Sequence, residues 1–140
     1  MLSDICKLYI IHAWQFGEEY DELIKLLKDP YFKYYNCSGV EEIAANFPTT
    51  SSTNVEIREF FRQKIEPAQI VILLTSKYYE FTGPVKVELE LAQQLNKPII
   101  AIYSKKHNDI PKEVADISKT VVQWQSSDII SAIRENMINN

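Results

Sequence analysis

Glu88 is the residue whose type and position most invite chemistry. Between Pro84 and Asn96 the sequence carries a helical period, with proline in the first turn and Asn96-Lys97-Pro98 as a stop. At about 100° per residue, Val85, Val87, Leu89, Leu91, Ala92 and Leu95 fall in one arc, and Glu88 projects near its middle. Lys86, Glu90, Gln93 and Gln94 lie opposite, as a solvated face should. A carboxylate on a buried arc must find a partner, take up a proton or line a cavity, because uncompensated burial of its charge is costly. Two readings stay open: a functional carboxylate, or a structural one that reaches water or a backbone amide.

The other candidates cluster at strand ends. His12 and Trp14 close an apolar run, where a histidine can cap a strand or bind a ligand and a tryptophan can lid the core or stack on a ring. Cys37 and Ser38 begin a long loop, and Tyr78, Tyr79 and Thr82 precede or open the Glu88 helix. With three glycines (Gly17, Gly39 and Gly83), neither a GxGxxG nor a Walker-type phosphate loop is possible. Two histidines and two cysteines give no metal-ligand spacing, so no metal is expected. A phosphoacceptor receiver is disfavoured too, since the first strand ends in His-Ala-Trp rather than an acidic pair.

These side chains need a scaffold, and the chain alternates short apolar runs with amphipathic stretches. Strands are expected at Lys7 to Ala13, Phe32 to Cys37, Gln69 to Thr75, Pro98 to Tyr103 and Thr120 to Trp124. Helices are expected at Glu18 to Lys28, after the capping box Thr53-Asn54-Val55-Glu56, at Pro84 to Asn96, at Ile110 to Ile117, and after Ser126 or Ser127 as a cap. Ser38 to Ser52 has no strong period and is expected to be a functional or mobile loop. Ile70 to Leu74, apolar on both faces, belongs at the centre of a parallel sheet. The alternation implies an α/β, doubly wound, five-stranded parallel sheet of order 2-1-3-4-5, with residues 1–140 as a single domain. Ligands of such sheets bind beyond the carboxyl ends of strands 1 and 3, which the Glu88 helix borders.

The 140 residues carry 15 basic and 19 acidic side chains, a net charge of −4, which argues against nucleic acid as a partner. No apolar run approaches a membrane span and no leader pattern is visible at Met1-Leu2-Ser3-Asp4, so no membrane partner and a cytoplasmic location are expected. Two cysteines, Cys6 and Cys37, are too few for a disulfide scaffold and suit a reducing cytosol.

Tyr9-Ile10-Ile11-His12-Ala13-Trp14, followed by Tyr20 and Leu23, resembles the opening of the bacterial TIR-like proteins of the Thoeris anti-phage system. Ser76-Lys77-Tyr78, the run Val85 to Ala92, Lys97-Pro98-Ile99-Ile100 and Val122-x-Trp124 extend that resemblance along nearly the whole chain. Thr82-Gly83-Pro84 stands where the family has Ser-x-Trp, and Tyr103-Ser104-Lys105 where it usually has Pro-Trp-Gly. The resemblance implies a flavodoxin-like TIR domain in which Glu88 cleaves the nicotinamide–ribose bond of NAD, a substrate rather than a cofactor. It further implies an ADP-ribose-derived signal, a separate effector protein that senses it, and self-association on activation. Thr82-Gly83 through Ala92 also resembles nucleoside deoxyribosyltransferases, whose glutamate attacks a similar anomeric carbon.

Both resemblances imply N-glycosidic chemistry through an oxocarbenium-like centre, which one carboxylate can stabilise or attack. Glu88 is then catalytic, and His12, Trp14, Ser38, Tyr78 and Thr82 bind substrate, with Trp14 stacking a ring and His12 and Ser38 on ribose or phosphate. The alternatives are a non-catalytic TIR-type assembly module, in which Glu88 is structural, and a nucleoside or nucleotide N-glycosidase or deoxyribosyltransferase.

Overall fold

In the computed structural model, residues 5–11, 18–38, 54–80, 82–105 and 109–138 are described. Five strands among them, β1 (Cys6–Ile11), β2 (Tyr34–Asn36), β3 (Ile70–Leu74), β4 (Ile99–Ile102) and β5 (Thr120–Val122), form one sheet of order β2-β1-β3-β4-β5. Every pairing is parallel, and β3 lies at the centre with Leu8 opposite Ile70 and Val71 opposite Ile99. This is the doubly wound sheet expected from the sequence. The helices are α1 (Glu18–Leu26), α2 (Asn54–Ile65), α3 (Thr75–Glu80), α4 (Thr82–Gln94), α5 (Lys112–Ile117) and α6 (Ser126–Ile138).

Because successive strand side chains point to opposite faces, the apolar strands feed two cores at once. Leu8, Ile10, Ile70, Ile72, Leu74, Ile100 and Ile102 pack on one face with Tyr20 and Leu23 of α1 and Ile129 and Ile133 of α6. Tyr9, Ile11, Val71, Leu73, Ile99 and Ala101 pack on the other with Phe61 and Ile65 of α2, Val85, Leu89 and Ala92 of α4, and Val114 of α5. The helices thus change face between β1, which leads to α1, and β3, which leads to α3 and α4. That reversal opens the crevice at the carboxyl ends of β1 and β3.

Several boundaries differ from expectation. β3 ends at Leu74 and runs straight into α3, a helix that no sequence period announced. β2 keeps only three residues, because Phe32 bridges Asp29 in an antiparallel sense and stacks on Tyr34, while the Asp29 carboxylate accepts the Tyr31 amide in a turn. β5 stops before Trp124, whose indole N–H donates to the Tyr103 carbonyl. Ser126 does not cap α6; its hydroxyl donates to the Leu26 carbonyl, and Gln125 O receives the Ile129 amide instead. α4 runs from Thr82 to Gln94, opening and closing two residues before the expected Pro84 and Asn96. Asn96 takes a left-handed φ of 58°, with Lys97 N bonded to Ala92 O and Asn96 N to Gln93 O, a Schellman cap. Thr53 of the capping box and most of the Ser38 to Ser52 loop lie outside the described residues.

Candidate functional site

α4 reproduces the sequence arc closely. Val85, Leu89, Leu91 and Ala92 are buried, while Lys86, Glu90, Gln93 and Gln94 are exposed. Glu88, in the middle of the helix rather than its first turn, is 0 % exposed. Its partner is Tyr9, from the interior of β1 and also fully buried, whose hydroxyl donates to Glu88 Oε2 at 2.5 Å. Glu88 Oε1 has no hydrogen-bond partner among the described residues. Parallel β1, with Tyr9 opposite Val71, places the phenol ring on the face that α4 covers, so the ring length spans the gap between strand and helix.

The electrostatics follow from that burial. Removal from water pushes the Glu88 carboxyl from 4.5 up to about 8, against the Tyr9 hydrogen bond, which favours the ionised form and pulls it down. Burial first, and then the facing carboxylate, push the Tyr9 hydroxyl well above its ordinary range, so Tyr9 remains a donor at every physiological pH. The pair therefore holds a carboxyl near the balance between its neutral and ionised forms, with one oxygen oriented and the other uncommitted. Such a group can donate a proton, accept one, or place negative charge beside a developing cation.

Of the other expected site residues, the two whose side chains are described, Ser38 and Tyr78, make their contacts away from Glu88. The Ser38 hydroxyl and amide both address Asn36 Oδ1, and the side chain is buried, so it closes the turn after β2. Tyr78 on α3 is buried, and Glu113 of α5 takes its hydroxyl. It lines a groove of about 160 Å³ with Lys86, Leu89, Glu90, Gln93 and Ile117, which Glu88 does not reach. Thr82 opens α4, and its side chain, like all of His12 and Trp14, lies outside the described set. Tyr9 was missed by sequence reasoning. An aromatic in a fully apolar strand reads as core, and only its hydroxyl distinguishes it from phenylalanine.

Elsewhere, a cavity of about 370 Å³ lies at the amino ends of β4 and β5, among Lys97, Asp116, Ser118, Lys119 and Asn136. Its lysines follow the C-terminal ends of α4 and α5, where cations balance the helix dipoles. Among the described residues no group of histidine, cysteine and carboxylate side chains could hold a metal, and no helix is long and apolar enough to cross a membrane.

No protein-family model matches the chain, and neither does any curated protein. Among solved structures, the chain is similar to a 2-deoxyribosyltransferase from the psychrotolerant bacterium Bacillus psychrosaccharolyticus. The TM-score is 0.57 at 20 % identity, covering 85 % of this chain and 88 % of that one. A likeness at that identity speaks to the fold, which in both is doubly wound α/β.

Proposed function

We propose that the chain cleaves or transfers the N-glycosidic bond of a nucleoside or nucleotide, with Glu88 as the carboxylate at the reacting carbon and Tyr9 as its positioning residue. The observation that carries this reading is the buried Tyr9–Glu88 pair with Oε1 left uncommitted. Breaking a carbon–nitrogen bond at C1′ builds positive charge on the sugar, and a carboxylate fixed beside it lowers that barrier most in a site without water. Near pH 7 about one tenth of a carboxyl titrating at 8 is ionised, and a cationic centre beside Oε1 draws the balance toward the ionised form. The neutral form can protonate a leaving base that is not already cationic. With Glu88 wholly covered, turnover requires that cover to move aside.

The fold likeness to a 2-deoxyribosyltransferase supports the nucleoside form of this reading. The sequence resemblance to Thoeris TIR-like proteins supports NAD as the substrate. With that substrate the rest of the resemblance follows: an ADP-ribose-derived product, an effector that senses it, and a role in anti-phage defence. The test is incubation of the full chain with ribo- and 2′-deoxynucleosides, with and without a free acceptor base, and separately with NAD. Released base or nicotinamide is quantified by chromatography. Turnover that Glu88→Gln abolishes is expected; turnover that survives the substitution, or its absence from every arm across protein concentrations, would refute the assignment.

A further inference from the structure

The cavity at the amino ends of β4 and β5 lies at the other end of the sheet from the crevice beyond β1 and β3, and the N-glycosidic reading makes no use of it. Its volume of about 370 Å³ falls in the range of roughly 300–1,000 Å³ typical of small-molecule sites. The walls are Asn96 and Lys97 after α4, Asp116 at the end of α5 with Ser118 and Lys119 after it, and Asn136 in the last turn of α6. Three helices therefore turn the negative ends of their dipoles toward one space.

Asn136 is 4 % exposed, and its Nδ2 spends both hydrogens, on Thr120 Oγ1 at 3.2 Å and on the Ala132 carbonyl at 2.8 Å. Those bonds fasten α6 to β5 and need only the nitrogen. Oδ1 accepts nothing among the described residues, although the residue lines the cavity. A nearly buried acceptor at a cavity wall takes its donor from whatever fills the cavity. The neighbouring walls repeat this bias. The Ser118 hydroxyl donates to the Val114 carbonyl at 2.6 Å, which leaves only its lone pairs. Asp116 gives Oδ2 to Lys112 at 2.9 Å and keeps Oδ1 unspent among the described residues. Lys97 reaches away to the Glu66 carbonyl at 2.8 Å. Lys119 differs: it is exposed, and its ammonium has no partner among the described residues.

We infer that this cavity binds a free amino acid, with the ammonium inward against Asn136 Oδ1 and the carboxylate outward on Lys119. Acceptors beside three helix carboxyl ends favour a cationic donor with several hydrogens, which describes an ammonium and not a hydroxyl. The unpaired lysine at the rim calls for an anion, and an amino acid carries both charges on one small molecule. A simple anion would suit Lys119 but would bring the wrong charge to the acceptors and the helix ends. The site stands apart from the reading of Glu88, since neither Glu88 nor Tyr9 lines the cavity.

The test uses the full chain and begins with thermal melts in each of the twenty standard amino acids at about 10 mM, because a ligand of the native state raises Tm. At least one should do so. That amino acid is then titrated calorimetrically beside its N-acetyl derivative, which lacks the ammonium, and its methyl ester, which lacks the carboxylate. The N-acetyl form should lose binding. Lys119→Gln should weaken the amino acid about 10- to 100-fold, the range for hydrogen bonds to a charged group, and leave the methyl ester unchanged. Lys86→Gln, which removes an exposed lysine outside the cavity, should change neither. Asn136→Leu would also break the bonds to Thr120 and Ala132, so the ammonium end is read from the ligand instead. No thermal shift from any amino acid, an N-acetyl form that binds as well as its parent, or an affinity that Lys119→Gln leaves intact would overturn the inference. Inorganic phosphate bound in place of amino acids, and lost in Lys119→Gln, would overturn it in favour of an anion site.

Discussion

Replacing Glu88 by glutamine should change stability by an amount that depends on pH, and the dependence follows from burial. In the unfolded chain the carboxyl releases its proton near 4.5, whereas in the native state it holds it to about 8. Between these values the native state binds more protons than the unfolded state, so rising pH favours unfolding. Below pH 4.5 both states are protonated and the group contributes no loss; above 8 both are ionised and the loss is complete. At about 1.4 kcal/mol per pH unit, the full loss is about 5 kcal/mol, of which about 3 is already present at pH 7. Glutamine does not titrate and escapes all of it. At pH 4 it replaces a neutral acid of nearly the same shape, at a cost of about 1–3 kcal/mol if its new N–H groups find no acceptor. Glu88→Gln should therefore be the less stable protein at pH 4 and the more stable one above neutrality. At pH 9 the swing corresponds to about 15 °C in Tm for a chain of this length. Urea unfolding followed by circular dichroism at five pH values from 4 to 9 measures the difference between the two proteins. Other titrating groups cancel in that difference, and Tyr9 stays protonated throughout. A difference flat to within about 1 kcal/mol over this range would mean that Glu88 titrates as an ordinary surface carboxylate, and the buried-acid picture would fail.

Tyr9→Phe removes the donor that favours the ionised carboxylate, so the Glu88 midpoint should move above 8 and turnover at pH 7 should fall about 10- to 100-fold; a pH–rate profile identical to the parent's would exclude a positioning role. Leu89→Ala, next to Glu88 and buried against the sheet, should destabilise by about 2–5 kcal/mol in urea titrations, whereas Gln93→Ala on the exposed face should stay within about 0.5. If subunit association completes the site, specific activity should rise with protein concentration; constancy across a hundredfold dilution series, with a monomer in light scattering, would show that one chain suffices.

The strands and their order were legible because continuous apolar runs such as Ile70 to Leu74 can be satisfied only by a sheet covered on both faces. The Glu88 arc was legible because helical period alone sets which side chains turn inward. Ends were not legible. Ser126 has the chemistry of a cap, yet the carbonyl of Leu26, 100 residues away in sequence, takes its hydroxyl. Phe32 has strand propensity, yet it stacks on Tyr34 and bridges Asp29 instead of extending β2. At Ser126 a tertiary partner, and at Phe32 the geometry of a local turn, outcompeted a preference worth about 1 kcal/mol.

The same division holds at the candidate site. From sequence alone it was determined that a carboxylate would face inward from a helix bordering the switch point, because periodicity is a one-dimensional property. Its depth, its partner and its proton affinity were decided by the tertiary structure. Tyr9 and Glu88 are 79 residues apart, and nothing local links a phenol in an apolar strand to a carboxyl on a helix arc. Only the stacking of α4 on β1 and β3 brings them to 2.5 Å, and only the surrounding apolar core lifts the acid to about 8. Desolvation and a directed hydrogen bond arise from packing in three dimensions, which is why the identity of the acid could be read along the chain and its chemistry could not.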